Sequence, residues 1–152
     1  MTIKEFQELV AATLNADAWL RQRDCMAFAE NALDAESAVA THMQGGGIAI
    51  IVLTPEAENL TGDAAPKRVR FRPLSIRADE KPGVNRLQAE HCTALDAAWR
   101  AVFLLERPQC LFLRIRQSAD DHAGVLSAEA QFDTTATITD PASQQQQTKP
   151  QE

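Results

Sequence analysis

The first turns of the chain have the hydrophobic spacing of an amphipathic helix. Thr2 and Glu5 have the spacing of a capping box, in which each residue satisfies a backbone N–H that the first turn leaves free. The apolar positions that follow lie on one helical face: Ile3, Phe6, Leu9, Val10 and Leu14. The pattern predicts a helix over residues 3–15.

The next part of the chain gives weaker signals and then a clear strand. The hydrophobic pattern of residues 16–33 is ambiguous, although Cys25–Ala29 is suited to a short extended segment. Asp34 is a candidate N-cap for a second helix over residues 35–44. The run IAIIVLT, residues 48–54, is continuously apolar and β-branched, which predicts a central strand covered on both faces.

A polar loop is predicted from Pro55 to Pro66, and an alternating strand follows it. Apolar residues alternate up to Pro73, where the parity changes, which indicates a bulge or a break in the strand. The polar face of this strand remains consistent across the break and is cationic: Arg68, Arg70, Arg72, Ser75, Arg77 and Asp79.

The long helix is predicted over residues 86–106. Pro82 and Gly83 form a turn, and Asn85 with Gln88 has the spacing of a second capping box. Apolar residues then recur at helical spacing, and Pro108 prevents the helix from continuing.

Two further strands are predicted after the long helix, over residues 111–116 and 126–138, with a loop at 117–124. In the first of them the inward positions are Leu111, Leu113 and Ile115. The outward positions are Phe112, Arg114 and Arg116. If the two strands pair as a hairpin, the arginines lie beside acidic residues of the partner strand, among them Glu129 and Asp133.

These elements predict an α+β fold with a mostly antiparallel sheet. The N-terminal helices and the long helix are expected to pack on one face of the sheet. Residues 1–139 are expected to form a single domain, and the glutamine-rich residues 140–152 are expected to be disordered. An apolar fraction of 45% in 152 residues is enough for a substantial core.

Charge is distributed unevenly along the chain. The net charge is −6, yet residues 67–86 carry seven basic and two acidic side chains, a local charge of +5, so the remainder carries −11. The overall acidity argues against a nucleic-acid binder that works by neutralising phosphates. The asymmetry favours contact with an acidic partner or with a second copy of the chain. A solvated sheet face is the alternative.

The sequence contains no recognisable catalytic, metal or cofactor motif, so we expect a protein that is not an enzyme. Three cysteines lack metal-type spacing and suggest reduced thiols. Adjacent His91 and Cys92 do not face each other on a helix. The group Asp120, Asp121 and His122 has the composition of an ordinary hairpin loop. Neither a secretion signal nor a membrane span is evident.

Several local phrases resemble the small tail-terminator and tail-completion proteins of long-tailed bacteriophages and prophages. They are GIAIIVLTP at residues 47–55, SIRADEKPGVNR at 75–86 and TALDAAWRAVFLL at 93–105. The resemblance covers about residues 3–138, and the polar stretch at 56–66 and the glutamine-rich tail depart from it.

The resemblance implies a structural function. Such proteins form a ring, usually a hexamer, that caps the tail tube, stops its polymerisation and provides the surface for head attachment. The implied partners are other copies of the chain, the tail tube protein and head–tail connector proteins. DNA passes through without specific binding, and free chains can be monomeric. The implied locations are the host bacterial cytoplasm during assembly and the virion tail.

A ring needs two different complementary surfaces on each subunit. We therefore predict that the cationic strand and the turn after it contact an acidic region of a neighbouring subunit or partner. The residues of this hypothesis are Arg68, Arg70, Arg72, Arg77, Asp79 and Arg86. Two alternatives stay open: a head–tail neck adaptor or stopper, and a small cytoplasmic binding module for an acidic ligand.

Overall fold

The computed structural model describes residues 1–63, 66–82, 92–120 and 123–142. In chain order the helices and strands are α1 (Ile3–Asn15), α2 (Ala18–Gln22), β1 (Cys25–Ala29), α3 (Ala35–Gln44), β2 (Ile48–Val52), β3 (Ala57–Asn59), β4 (Lys67–Glu80), α4 (Ala94–Leu105), β5 (Cys110–Asp120) and β6 (Val125–Ile138).

The strands form one mixed, mostly antiparallel sheet in the order β1-β2-β4-β6-β5, and the short β3 pairs with the first half of β4. Only the β1–β2 pair is parallel among the described strands. The predicted α+β class is confirmed. Strand β2, the predicted central strand, is buried at every position, as its continuous apolar run requires.

The main core lies between one face of the sheet and helices α1, α2 and α4. Phe71 of β4 and Phe132 of β6 are fully buried there, and the ring of Phe71 lies 5.1 Å from that of Phe6 in α1. Alanines dominate the buried face of α4, which lets this helix lie close to the sheet: Ala94, Ala97, Ala98 and Ala101.

Helix α3 lies on the opposite face of the sheet, over β1 and β2, so the prediction that the N-terminal helices share one face with the long helix is wrong for α3. Phe28, which alternates with the core residues of β1, places its ring 6.1 Å from that of His42 in α3. The His42 Nε2 atom donates a hydrogen bond to the Asp24 carbonyl at 2.8 Å. A Cβ atom at Gly47 would lie 2.3 Å from the same nitrogen, so only glycine permits this close packing.

The beginning of α4 differs from the prediction. The structure begins the helix at Ala94, with Thr93 as N-cap and both capping-box bonds to Asp96 present, so a helix over 86–106 is wrong at residues 92 and 93. The Glu80 Oε1 atom accepts a hydrogen bond from the Ala94 N–H at 3.0 Å and fixes this start from the sheet. The predicted Asn85 cap lies outside the described residues.

Strand β5 is longer than predicted, and its inward face differs at its start, although Ile115 packs against the core as predicted. It continues to Asp120, through the first half of the predicted 117–124 loop. Its pairing with β6 shifts register between Phe112 and Arg114, so Leu113 is an extra residue. Phe112 therefore packs inward against Phe132, with ring centroids 6.1 Å apart, and Leu111 is 52% exposed.

Three smaller features agree with the sequence predictions only in part. The predicted 55–66 loop contains β3, and the ambiguous 16–33 stretch contains α2 and the expected extended segment as β1. Asp34 is the N-cap of α3, but its backbone is left-handed and its side chain makes no capping bond. The predicted break at Pro73 is confirmed as a register shift between Phe71 and Leu74.

Candidate interaction face

The candidate site is the outer face of the sheet, defined as the side of β4, β5 and β6 that points away from α1 and α4. Alternate residues of each strand project onto it because their neighbours project into the core. It carries the predicted arginines of β4, the acidic residues Glu129 and Asp133 of β6, and Arg114 and Arg116 of β5.

Asp133 binds the predicted arginines Arg70 and Arg72. Its carboxylate accepts hydrogen bonds from Arg70 at 2.8 Å from Nε and 2.5 Å from Nη2, a bidentate contact. The Nε atom of Arg72 lies 3.8 Å from the same carboxylate. The hydrogen bonds from Arg70 lower the pKa of Asp133 below its ordinary value, and they raise the pKa of the Arg70 guanidinium.

A second internal pair lies further along β4. Arg77 Nε donates to both carboxylate oxygens of Asp79, at 3.1 and 3.2 Å. The Ser127 hydroxyl of β6 donates to the same carboxylate at 2.7 Å. These contacts give hydrogen-bond partners to the carboxylate of Asp79, which is only 7% exposed.

The hairpin of β5 and β6 makes the charge pairing that its sequence predicted. Arg116 Nη2 donates to Glu129 Oε2 at 3.0 Å, and the two residues are directly paired across the strands. The amide of Gln131 donates to the same carboxylate oxygen at 2.8 Å. Arg114 is paired in register with Gln131 rather than with an acid.

The structure therefore brings most of the predicted interface residues onto one face but neutralises part of their charge within the chain. Arg70 and Arg77 are held by close acidic partners. Arg72 has only the 3.8 Å contact with Asp133 and is mostly exposed, and Arg68 is exposed. Arg86 lies outside the described residues. Asp133 was not assigned to the site from sequence. Its 63-residue separation from Arg70 hides the contact, and only the β4–β6 register reveals it.

A groove of about 300 Å³ lies beside this face, between α3 and the outer side of β1 and β2. We name it the α3 groove. Apolar side chains form its walls, and two glutamates and an arginine add charge. Its lining residues are Phe28, Ala29, Glu30, Ala35, Glu36, Val39, Ile51 and Arg77.

The described residues offer no arrangement typical of catalysis or metal binding. Within residues 1–63, 66–82, 92–120 and 123–142, no three His, Cys, Asp or Glu side chains come together in a way that could hold a metal ion. Cys25 and Cys92 are buried, and a hydrogen bond between them together with burial raises the pKa of the Cys25 thiol. His91 and His122 lie outside the described residues.

Among the helices of the described segments, none is long and apolar enough to cross a membrane.

Comparison with known proteins finds similarity of structure but not of sequence family. No protein-family profile matches the chain, and no curated protein matches it. A chain in the solved structure of the virion of a native gene transfer agent (GTA) particle has the same fold, with a TM-score of 0.56 and 15% sequence identity. The match covers 84% of this chain and 91% of that chain.

Proposed function

We propose that this protein is a structural component of a phage or phage-derived particle that forms a ring on the end of the tail tube. The ring stops the tube from polymerising and provides the surface to which the head attaches. The observation that carries the proposal is the fold shared with a chain of a gene transfer agent virion over nearly the whole length of both chains. The sequence phrases that resemble tail terminators support the same assignment.

The proposed mechanism depends on protein–protein contacts rather than on a chemical reaction, and we assign the protein no catalytic role. A ring closes when one surface of each subunit binds a different surface of the next subunit. Its far side then presents no site for another tube subunit, so polymerisation ends there. The net charge of −6 disfavours attachment of DNA to the ring, which allows DNA to pass without specific binding.

The outer face of the sheet is our candidate for contact with an acidic partner in the tail. Arg68 and Arg72 carry the charge that the described residues neutralise least, since Arg70 and Arg77 are held by Asp133 and Asp79. Reversal of Arg70 would also leave Asp133 without its bidentate partner, which would confuse loss of folding with loss of binding. The informative variant is therefore Arg68→Glu/Arg72→Glu.

The test combines light scattering after size exclusion with capture by purified tail tubes. We expect the native chain to form a closed ring of about six copies, alone or on tube ends. The Arg68→Glu/Arg72→Glu variant should lose capture by tubes. The matched control Lys4→Glu/Arg21→Glu changes the net charge equally on exposed parts of α1 and α2 and should be captured normally. A native chain that stays monomeric and ignores tubes would refute the ring.

A further inference from the structure

The two ends of the sheet differ in charge. At the β1 end, residues 24–42 contain four acidic and no basic side chains, a formal charge of −4 with histidine neutral. At the β5 end, residues 99–118 contain four arginines and one glutamate, a formal charge of +3. Asp17 and Glu129 pair with Arg100 and Arg116, so Arg107 and Arg114 carry the positive charge that no acidic side chain of the described segments pairs. The strand order places these two segments at opposite edges of the sheet. Opposite charge at opposite ends favours head-to-tail contact between copies.

The two ends also differ in shape. At the β5 end, Trp99 and Phe103 of α4 stand beside the edge strand, and Phe103 is 72% exposed. Trp99 packs edge-on against the inward Phe112 of β5, with ring centroids 5.4 Å apart, and Trp99 and Phe103 are two of the ten large apolar side chains that are exposed among the described residues. We name this region the α4–β5 corner. An apolar cluster of this kind typically marks a protein contact.

The β1 end carries the complementary feature. The α3 groove has apolar walls that include Phe28, Val39 and Ile51, with Glu30 and Glu36 beside them. Met26 and Leu33, which belong to the same part of the chain, are exposed as well. The groove and the α4–β5 corner lie on opposite faces of the sheet, because α3 and α4 cover opposite sides. If neighbouring subunits overlap at the ends of their sheets, the α4–β5 corner of one subunit lies against the α3 groove of the next.

We propose that the α4–β5 corner of one subunit docks in the α3 groove of the next copy of the same chain. This inference rests on the proposed ring and names its subunit contact. Phe103 supplies the apolar group that enters the groove, beside the acidic segment that contains Glu36. The contact joins two different surfaces, so it continues from subunit to subunit until a ring closes. The part of the outer face around Arg68 and Arg72 is left available for the tail.

Disulfide trapping tests the contact directly. One full-length chain carries Glu36→Cys and a second carries Phe103→Cys, both in a Cys110→Ser background that removes the half-buried thiol. Both substituted residues are exposed, so folding should be retained. Under mild oxidation with copper phenanthroline, the mixture should give covalent dimers. Each chain alone should give at least tenfold less, because head-to-tail contact never brings two identical positions together.

The matched control replaces Glu36→Cys by Leu9→Cys, on an exposed part of α1 away from the groove. Equal trapping in the control mixture, or equal trapping of Phe103→Cys with itself, overturns the proposed contact. A ring without Glu36–Phe103 trapping overturns the contact and leaves the ring. A chain carrying both substitutions that is trapped only as open oligomers supports the contact and overturns the ring. Absence of any trapping and of any ring refutes both.

Discussion

The carboxylate of Asp133 accepts two hydrogen bonds from Arg70 and lies 3.8 Å from the Nε atom of Arg72. At the residue scale this one side chain decides how much of the cationic strand is available to a partner. Together with Asp79, it turns a row of arginines into alternating charges. The surface is therefore suited to a partner with a matching charge pattern more than to a uniform polyanion.

The lowered pKa of Asp133 gives a pH prediction. A group with a depressed folded-state pKa adds stability above its unfolded value, here 3.8, and loses it as pH falls through the folded value. Asp133→Asn should be less stable than the native chain at neutral pH, and the difference should shrink below about pH 4. Chemical denaturation across pH measures this effect, with exposed Asp63→Asn as control. Parallel pH profiles for the native chain and Asp133→Asn would contradict it.

At the scale of elements, Asp17 links two helices that are far apart in sequence. It caps α2 by accepting a hydrogen bond from the Leu20 N–H at 3.1 Å, and it receives two hydrogen bonds from Arg100 of α4, at 3.0 and 2.7 Å. The hydrogen bond from Arg100 is the largest cause that lowers the pKa of Asp17. The short helix α2 thus depends on α4 for its position.

We expect Asp17→Ala to lower the free energy of unfolding by more than the roughly 1 kcal/mol typical of an N-cap, because it also releases Arg100. Arg100→Ala should cost less, since the cap remains. Urea denaturation of both single variants and the double variant completes a double-mutant cycle, and we expect it to show coupling. Additive effects would mean that the Asp17–Arg100 pair contributes nothing to stability.

The elements also show what sequence could and could not predict. Helices α1 and α3, strand β2 and the hairpin follow from local periodicity, and they are found where that pattern puts them. The start of α4 was wrong because Thr93 and Asp96 form a capping box inside the predicted helix, and the Glu80 carboxylate that also holds the Ala94 N–H comes from the sheet. Strand β3 has a wholly exposed polar sequence and exists because β4 offers it an edge.

The candidate site was predictable only in part for a similar reason. The alternation of arginines in β4 is visible in the sequence, so the face was found. Its internal neutralisation depends on the pairing of β4 with β6, which no local pattern states. The bulge at Leu113 likewise depends on strand pairing and is not indicated by the local sequence pattern. Leu111, Leu113 and Ile115 alternate perfectly, yet of the three only Ile115 packs against the core, because the bulge places Phe112 inward against Trp99 and Phe132.

At the scale of the whole molecule, the chain has a charge difference between the two ends of its sheet. Charged groups around an apolar contact steer association and are screened by salt, with a Debye length of about 10 Å at 0.1 M. We expect ring formation to weaken by at least severalfold between about 0.05 and 0.5 M salt without disappearing, because Phe103 remains apolar at every ionic strength. Sedimentation velocity measures this change. Salt-independent assembly would argue against a role for the charged ends.

The strand order has a consequence for how the protein is made. Strand β4 meets β6 along almost its whole length, although more than 40 residues separate the two strands in the chain. During synthesis, one edge of β4 therefore stays unpaired until residues 125–138 have emerged from the ribosome. The hairpin of β5 and β6 involves only near neighbours and can form as soon as it appears. The centre of the sheet therefore stays incomplete in a nascent subunit until β6 has been synthesised. An unfinished chain lacks the complete sheet and cannot join an assembling particle.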